Sequence, residues 1–297
     1  MGYIYVFIAL IAGLIKGYCG KRTGGYVEQY KDAMFANLIR MALCTIIGLG
    51  IIVFQGDITC LRINSTGALI ALLSGVATSV FTVSWLISVK RGAYMMVDIF
   101  LMLGVVVTII CSFFVLGEPI NGKQIVGICV LIIAVLIMCS YNIKLKGKMN
   151  FLSVLLLIIC GTSSGLADFS QKLYINNVLD YNIAVFNFYT YVFSAVVLGI
   201  FYLIFNTKEK SEGNSVTLIK DIFGYVFVMA LCLFLNSFFK TKAAVYLTST
   251  QLYPLNQGSA LILSSIMAQV LFKEKMTITS VIGLILAFVA LIIINFL

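Results

Sequence analysis

Ten long apolar runs, separated by short polar connections, leave this chain almost no choice of environment. They are Tyr3–Cys19, Met34–Phe54, Thr66–Val89, Ala93–Leu116, Gln124–Tyr141, Phe151–Lys172, Ile183–Phe205, Ile222–Ala243, Ser249–Phe272 and Ile278–Phe296. A helix rises about 1.5 Å per residue, so a run of about 20 residues matches the roughly 30 Å hydrocarbon core of a bilayer. None of the runs alternates apolar and polar residues as a barrel strand does, and each is therefore predicted to be a helix. The chain is 62% hydrophobic and 10% charged, with a mean hydropathy of +1.10. Soluble domains carry about 45–50% apolar and about 25% charged residues. Soluble enzymes, DNA-binding proteins and secreted disulfide scaffolds are excluded at once. The expected fold class is an all-α integral membrane protein of ten transmembrane helices.

The formal charge of +9 would point to nucleic acid in a soluble protein, but here it reads as topology. Lysines and arginines concentrate in loops on the cytoplasmic side of a membrane. One set of connections, around residues 21–31, 90–91, 144–148, 208–220 and 273–275, holds 14 Lys/Arg when Arg40 is included. The opposite set holds five: Arg62, Lys123, Lys172, Lys240 and Lys242. The richer set is placed in the cytoplasm, so both termini are expected outside. The first run has no basic segment before it and no small-residue cleavage site after it, and reads as a retained helix rather than a signal peptide. The eight cysteines include no C-x-x-C, and there is no histidine. No metal site, imidazole proton shuttle or other cofactor is expected. The Ile-, Asn- and Lys-rich composition suits a bacterium of low GC content, and the plasma (inner) membrane as location.

Sliding the chain against itself by 156 residues aligns Lys16 with Lys172, Tyr18 with Tyr174, Glu118 with Glu274, Gly127 with Gly283, and Ala134 with Ala290. Apolar coincidences count for little in so hydrophobic a chain. Glutamate is rare here, so a Glu followed nine residues later by Gly in both halves is informative. Residues 1–145 and 146–297 are read as two five-helix repeats. An odd number of spans forces the second repeat to enter the membrane from the opposite side, the inverted-repeat construction of many secondary transporters.

The residues Leu116-Gly117-Glu118-Pro119 and Gln124-Ile125-Val126-Gly127, with Phe272-Lys273-Glu274-Lys275 and Val281-Ile282-Gly283 in the second half, resemble the drug/metabolite transporter superfamily in its ten-helix EamA-like branch. The stretch from Lys242 to Ser249 is similar to the same pattern. The resemblance covers essentially the whole chain. It implies carriage of a small metabolite, amino acid, nucleotide-linked sugar or drug, with a central cavity to which helices 3, 4, 8 and 9 contribute.

Asp98 stands about five residues into the fourth run. An intramembrane carboxylate is costly unless it faces a cavity or a partner, so it is a candidate solute or proton site. If the helix starts later, Asp98 only caps it. The ninth run opens with Gln251, Tyr253, Pro254, Asn256 and Gln257, a polar start expected to face a cavity or to glue helices together. Trp85 and Tyr94 flank the Lys90–Arg91 connection, either as interfacial anchors or lining a solute entrance. Lys16 and Lys172 are placed near the ends of helices 1 and 6, where lysines snorkel to the interface. Asp168 lies four residues before Lys172, which favours a charge pair between them, the alternative being an anion site on the lysines. Glu118 and Glu274 are read as ties for the turns they follow, and Gly127 and Gly283, with Ala134 and Ala290, as allowing close helix contact.

No Walker A pattern occurs, so an ion or solute gradient must supply any driving force. The expected function is a secondary active transporter, not an enzyme, moving a small organic solute by alternating access and outward. Asp98 would carry a zwitterionic or cationic solute and a coupling proton or other ion. The alternatives are uptake of an anionic or phosphorylated metabolite read by Lys16, Lys172 or Lys242, a lipid-modifying membrane enzyme, and a non-transporting membrane subunit. The partners are the lipid bilayer and the solute, with no nucleic acid.

Overall fold

A computed structural model describes residues 1–27, 30–54, 61–91, 94–146, 151–179, 182–208, 215–273 and 278–296. Among them are ten helices: α1 (Gly2–Gly24), α2 (Tyr30–Phe54), α3 (Ser65–Arg91), α4 (Tyr94–Leu116), α5 (Gly122–Lys146), α6 (Phe151–Asn177), α7 (Ile183–Lys208), α8 (Ser215–Ala243), α9 (Ser249–Phe272) and α10 (Ile278–Phe296). Eight contain segments long and apolar enough to cross a bilayer, while α5 and α10 contribute the shorter apolar segments Gly122–Ala134 and Val281–Ile294. The protein is a multi-pass membrane protein.

Local chemistry sets several helix ends. The Asn64 side chain accepts the Gly67 amide at 2.7 Å, and Asn182 accepts those of Ala184 and Val185 at 3.0 and 3.3 Å, capping the free donors of α3 and α7. Gln124 reaches back to the Asn121 amide at 3.0 Å as α5 begins. Gly117 takes a left-handed conformation (φ 65°) that ends α4, and Pro119 prevents its continuation. Large apolar side chains such as Phe7, Ile46, Phe114 and Leu203 stay exposed along the outer surface. In water they would form an unfavourable patch, whereas hydrocarbon solvates them.

The main helix contacts run between the two halves of the chain: α1 packs on α8, α3 on α6, α2 on α7, α5 on α10, and α4 on both α6 and α9. Exchanging helices 1–5 with helices 6–10 turns this set of contacts into itself. For example, α1 on α8 becomes α6 on α3, and α1 on α9 becomes α6 on α4.

Helices α4 and α6 meet backbone to backbone. A Cβ on Gly165 would sit 2.3 Å from the Gly104 carbonyl oxygen, and one on Gly104 would sit 2.5 Å from that of Gly161. Only glycine permits backbones this near, and the Gly161-x-x-x-Gly165 spacing presents both glycines on one face. Thr108 donates across the crossing to the Gly165 carbonyl at 2.9 Å. This contact fixes the depth of Asp98 on α4 against Asp168 on α6.

Two placements differ from the sequence expectation. Helix α1 runs on to Gly24 and α6 to Asn177, so Lys16 and Lys172 lie within their helices. Lys172 is only 6% exposed and does not snorkel, because it finds its polar partners inside the protein. Lys240, Arg40 and Lys31 are also buried within helices, so Lys172, Lys240, Arg40 and Lys31 are not loop charges. The bias between the two sides becomes 12 to 3.

Candidate functional site

A cavity of about 90 Å³ lies at the centre of the bundle. Its wall is built by α1, α3, α4, α6, α8 and α9, with Tyr191 from α7. Under the exchange of halves, these six helices form three pairs: 1 with 6, 3 with 8, and 4 with 9. The resemblance implied helices 3, 4, 8 and 9; α1 and α6 are additions.

Four formally charged side chains stand on this wall: Lys16, Asp98, Asp168 and Lys240. Lys240 donates to Asp168 Oδ1 in a buried ion pair. The charge pair expected between Asp168 and Lys172 is therefore not formed. Lys172 instead makes an ion pair with Glu118 at 3.2 Å and donates to the carbonyls of Ala244 and Leu247 at 2.9 and 2.7 Å. Spacing of four along a helix favours contact between neighbours. It is overridden here because α8 brings a lysine to Asp168, and the α8–α9 turn offers Lys172 its carbonyls. Lys16 holds its ammonium 5.7 Å from the centre of the Phe81 ring, a cation–π contact within the cavity wall.

Asp98 is the fifth residue of α4, which starts at Tyr94. It is therefore inside the helix and not its cap. Asn256 and Gln257 of α9 share the wall with it. Tyr253 is fully buried beside the cavity, and its hydroxyl donates to the Asp168 carbonyl at 2.6 Å. Gln251 stands one turn nearer the start of α9 and is outside the lining. Trp85 lines the cavity and is 4% exposed, with its ring over Gly20, where a Cβ would come within 2.3 Å. It is a wall residue and not an interfacial anchor. The side chains of Tyr94 and the whole of Glu274 lie outside the described residues.

Glu118 does more than tie its own turn. Its second oxygen accepts the Ser249 amide at 2.9 Å, the first backbone donor of α9, and the Ser112 hydroxyl donates to that of Ser249 at 2.8 Å. A carboxylate at a helix N-terminus is placed where free N–H groups favour it. Gly127 packs on α10, where a Cβ would meet Ile294 at 2.5 Å, and Ala134, Ala290 and Gly283 are buried along these helices.

Sequence reasoning missed Gln171, Asn236, Ser237 and Lys240 as wall residues. Asn236 donates to the Ala9 carbonyl at 2.6 Å, Ser237 to Asn187 at 2.6 Å, and Gln171 to Ser237 at 3.3 Å. The signal was present in the spacing Leu233, Asn236, Ser237, Lys240, which puts three polar groups on one face of an apolar helix. Among the described residues no group of three or more potential metal-binding side chains comes together.

No curated protein matches the chain. Among 28 matching chains of solved structures, one described only as the crystal structure of a protein superposes with a TM-score of 0.64. That match covers 98% of this chain and 95% of the other at 12% identity, and so concerns the fold alone. The EamA-like transporter family matches residues 1–140 and, a second time, residues 151–296. With both halves accounted for, the chain belongs to the EamA-like transporter family.

Proposed function

We propose that this protein is a secondary transporter that exports a small organic solute by alternating access, with residues 1–145 and 146–297 acting as inverted repeats. The observation that carries the reading is the central cavity, which places Lys16, Asp98, Asp168 and Lys240 deep among apolar helices. Burying charges there is costly and is maintained at sites that bind or couple. The double family match and the symmetry of the helix contacts support the repeat. Outward movement follows the branch that the sequence resembles, and the 12 to 3 bias supports termini on the outer face of the inner membrane.

Asp98 is assigned as the site shared by the solute's cationic group and a coupling proton. One carboxylate that takes either, but not both, links their movements in opposite directions. Uptake of an anion through three lysines is less favoured. Lys172 is committed to Glu118 and two carbonyls, and Lys242 lies over the rings of Tyr5 and Phe238 at 5.2 and 5.7 Å.

The test is counterflow of labelled small metabolites into proteoliposomes containing the purified protein. Exchange that Asp98→Asn abolishes, together with its dependence on pH, is the expected result. Exchange in Asp98→Asn with the wild-type rate and pH profile would remove the role given to Asp98.

A further inference from the structure

Arg40 is a buried cation with no carboxylate opposite it. It stands about 15 Å along α2 from the start of the helix at Tyr30 and is only 2% exposed. Its Nε is buried without a hydrogen-bond partner, and among the described residues its guanidinium forms no ion pair. The groups that it meets electrostatically are Cys44 and Tyr191. Neither supplies a negative charge, because the Cys44 thiol donates to the Ala230 carbonyl and the Tyr191 hydroxyl to that of Leu233, each at 3.3 Å. The excess of positive charge extends to the cavity. Lys16, on its wall, interacts with Lys240, Arg40, Asp98 and Asp168. In this set three cations stand against two carboxylates. A guanidinium keeps its charge at any physiological pH, so Arg40 does not discharge the excess by losing a proton. A buried charge left uncompensated is strongly unfavourable.

We propose that a small monovalent inorganic anion, a halide such as chloride, binds between Arg40 and Lys16 at the side of the cavity formed by Tyr191 and Leu233. Tyr191 and Leu233 line the cavity, and Arg40 lies outside that lining but meets Tyr191, so the ion reaches Arg40 from the cavity. Lys16 is ready to share it. Its ammonium rests over the Phe81 ring at 5.7 Å and forms no ion pair among the described residues. Lys240 needs no further anion, because Asp168 already pairs with it. One negative charge balances the set, which selects a monovalent ion. The cavity of about 90 Å³ limits its size, since a bulky organic anion would fill the space that a solute needs. Asp98 and Asp168 are both counted in the balance, and neither has to be free for the excess to exist. The site goes beyond the transport reading and does not depend on which solute is carried.

The full-length protein is purified in detergent with gluconate, too bulky for such a site, as the only anion. It is melted as gluconate is replaced by chloride or bromide at constant ionic strength. A ligand of the folded state raises the melting temperature by mass action, and the rise follows the occupancy of its site. Binding of radioactive chloride to the immobilised protein in the same buffers gives the affinity directly. The wild type is expected to bind chloride saturably and to melt higher in chloride and bromide than in gluconate. Lys16→Gln should weaken chloride binding at least about tenfold, equivalent to about 1.4 kcal/mol. Arg40→Gln should lose the binding and, in gluconate, melt at or above the wild-type temperature, because it removes a charge that has no partner there. A wild type that melts alike in chloride and gluconate, or that binds no labelled chloride, overturns the proposal. So does Arg40→Gln with wild-type chloride affinity. An Arg40→Gln variant that fails to fold, or melts below the wild type in gluconate, also overturns it, since Arg40 would then be compensated within the protein. The measurement needs neither solute nor transport, so its failure and a failure of counterflow are read separately.

Discussion

Lys172 and Glu118 form an ion pair at 3.2 Å that joins α6 to the turn between α4 and α5, with both side chains largely buried. The same two residues hold the α8–α9 turn through the Ala244 and Leu247 carbonyls and the Ser249 amide. One pair thus fastens together three stretches of chain at one end of the bundle.

Removing one partner leaves a buried charge without compensation. Lys172→Gln and Glu118→Gln are each expected to destabilise the protein by about 3–5 kcal/mol, and the double variant by less than the sum. Thermal unfolding in detergent measures this. Single variants that melt with the wild type would show that the pair does not fasten the bundle.

The glycines at two helix crossings should respond differently to the same methyl group. At Gly165 the new Cβ meets backbone, 2.3 Å from the Gly104 oxygen, and the helices must separate. At Gly127 the nearest atom is Cγ1 of Ile294, a side chain that can rotate. Gly165→Ala is expected to cost about 1–3 kcal/mol or more, and Gly127→Ala less. The reverse order in melting temperature would contradict the α4–α6 packing described above.

The proposed orientation, with both termini outside, rests on the charge bias that remains once the buried basic residues are set aside. Alkaline phosphatase fused to the C-terminus should be active in a bacterial host, and a fluorescent protein fused there should remain dark. A fluorescent C-terminal fusion would invert the topology.

The ten helices were legible because the length and continuity of an apolar run report the thickness of hydrocarbon directly. Asp98, Asn256 and Gln257 were legible as cavity residues because a polar group in such a run must have a reason to be there. The partner of Asp168 was not. Spacing along α6 favoured Lys172, but Lys240 lies 72 residues away, and only packing of α8 brings it near. Lys240 itself resembled a loop charge because α8 ends three residues later. Trp85 sat beside a basic connection like an interfacial aromatic, and nothing local announced that Gly20 on α1 leaves room for its ring. Pairing across helices depends on which small residues let backbones approach, information that a hydropathy pattern does not carry.

The central claim is that this cavity opens alternately to the two sides of the membrane. Gln257 lines it from α9, and Gln257→Cys in a protein otherwise free of cysteine provides a reporter. A membrane-impermeant thiol reagent is applied to right-side-out and to inside-out vesicles. Labelling from both sides, with a bound solute changing the two rates in opposite directions, is the predicted result. Labelling from one side alone, with and without solute, would contradict alternating access.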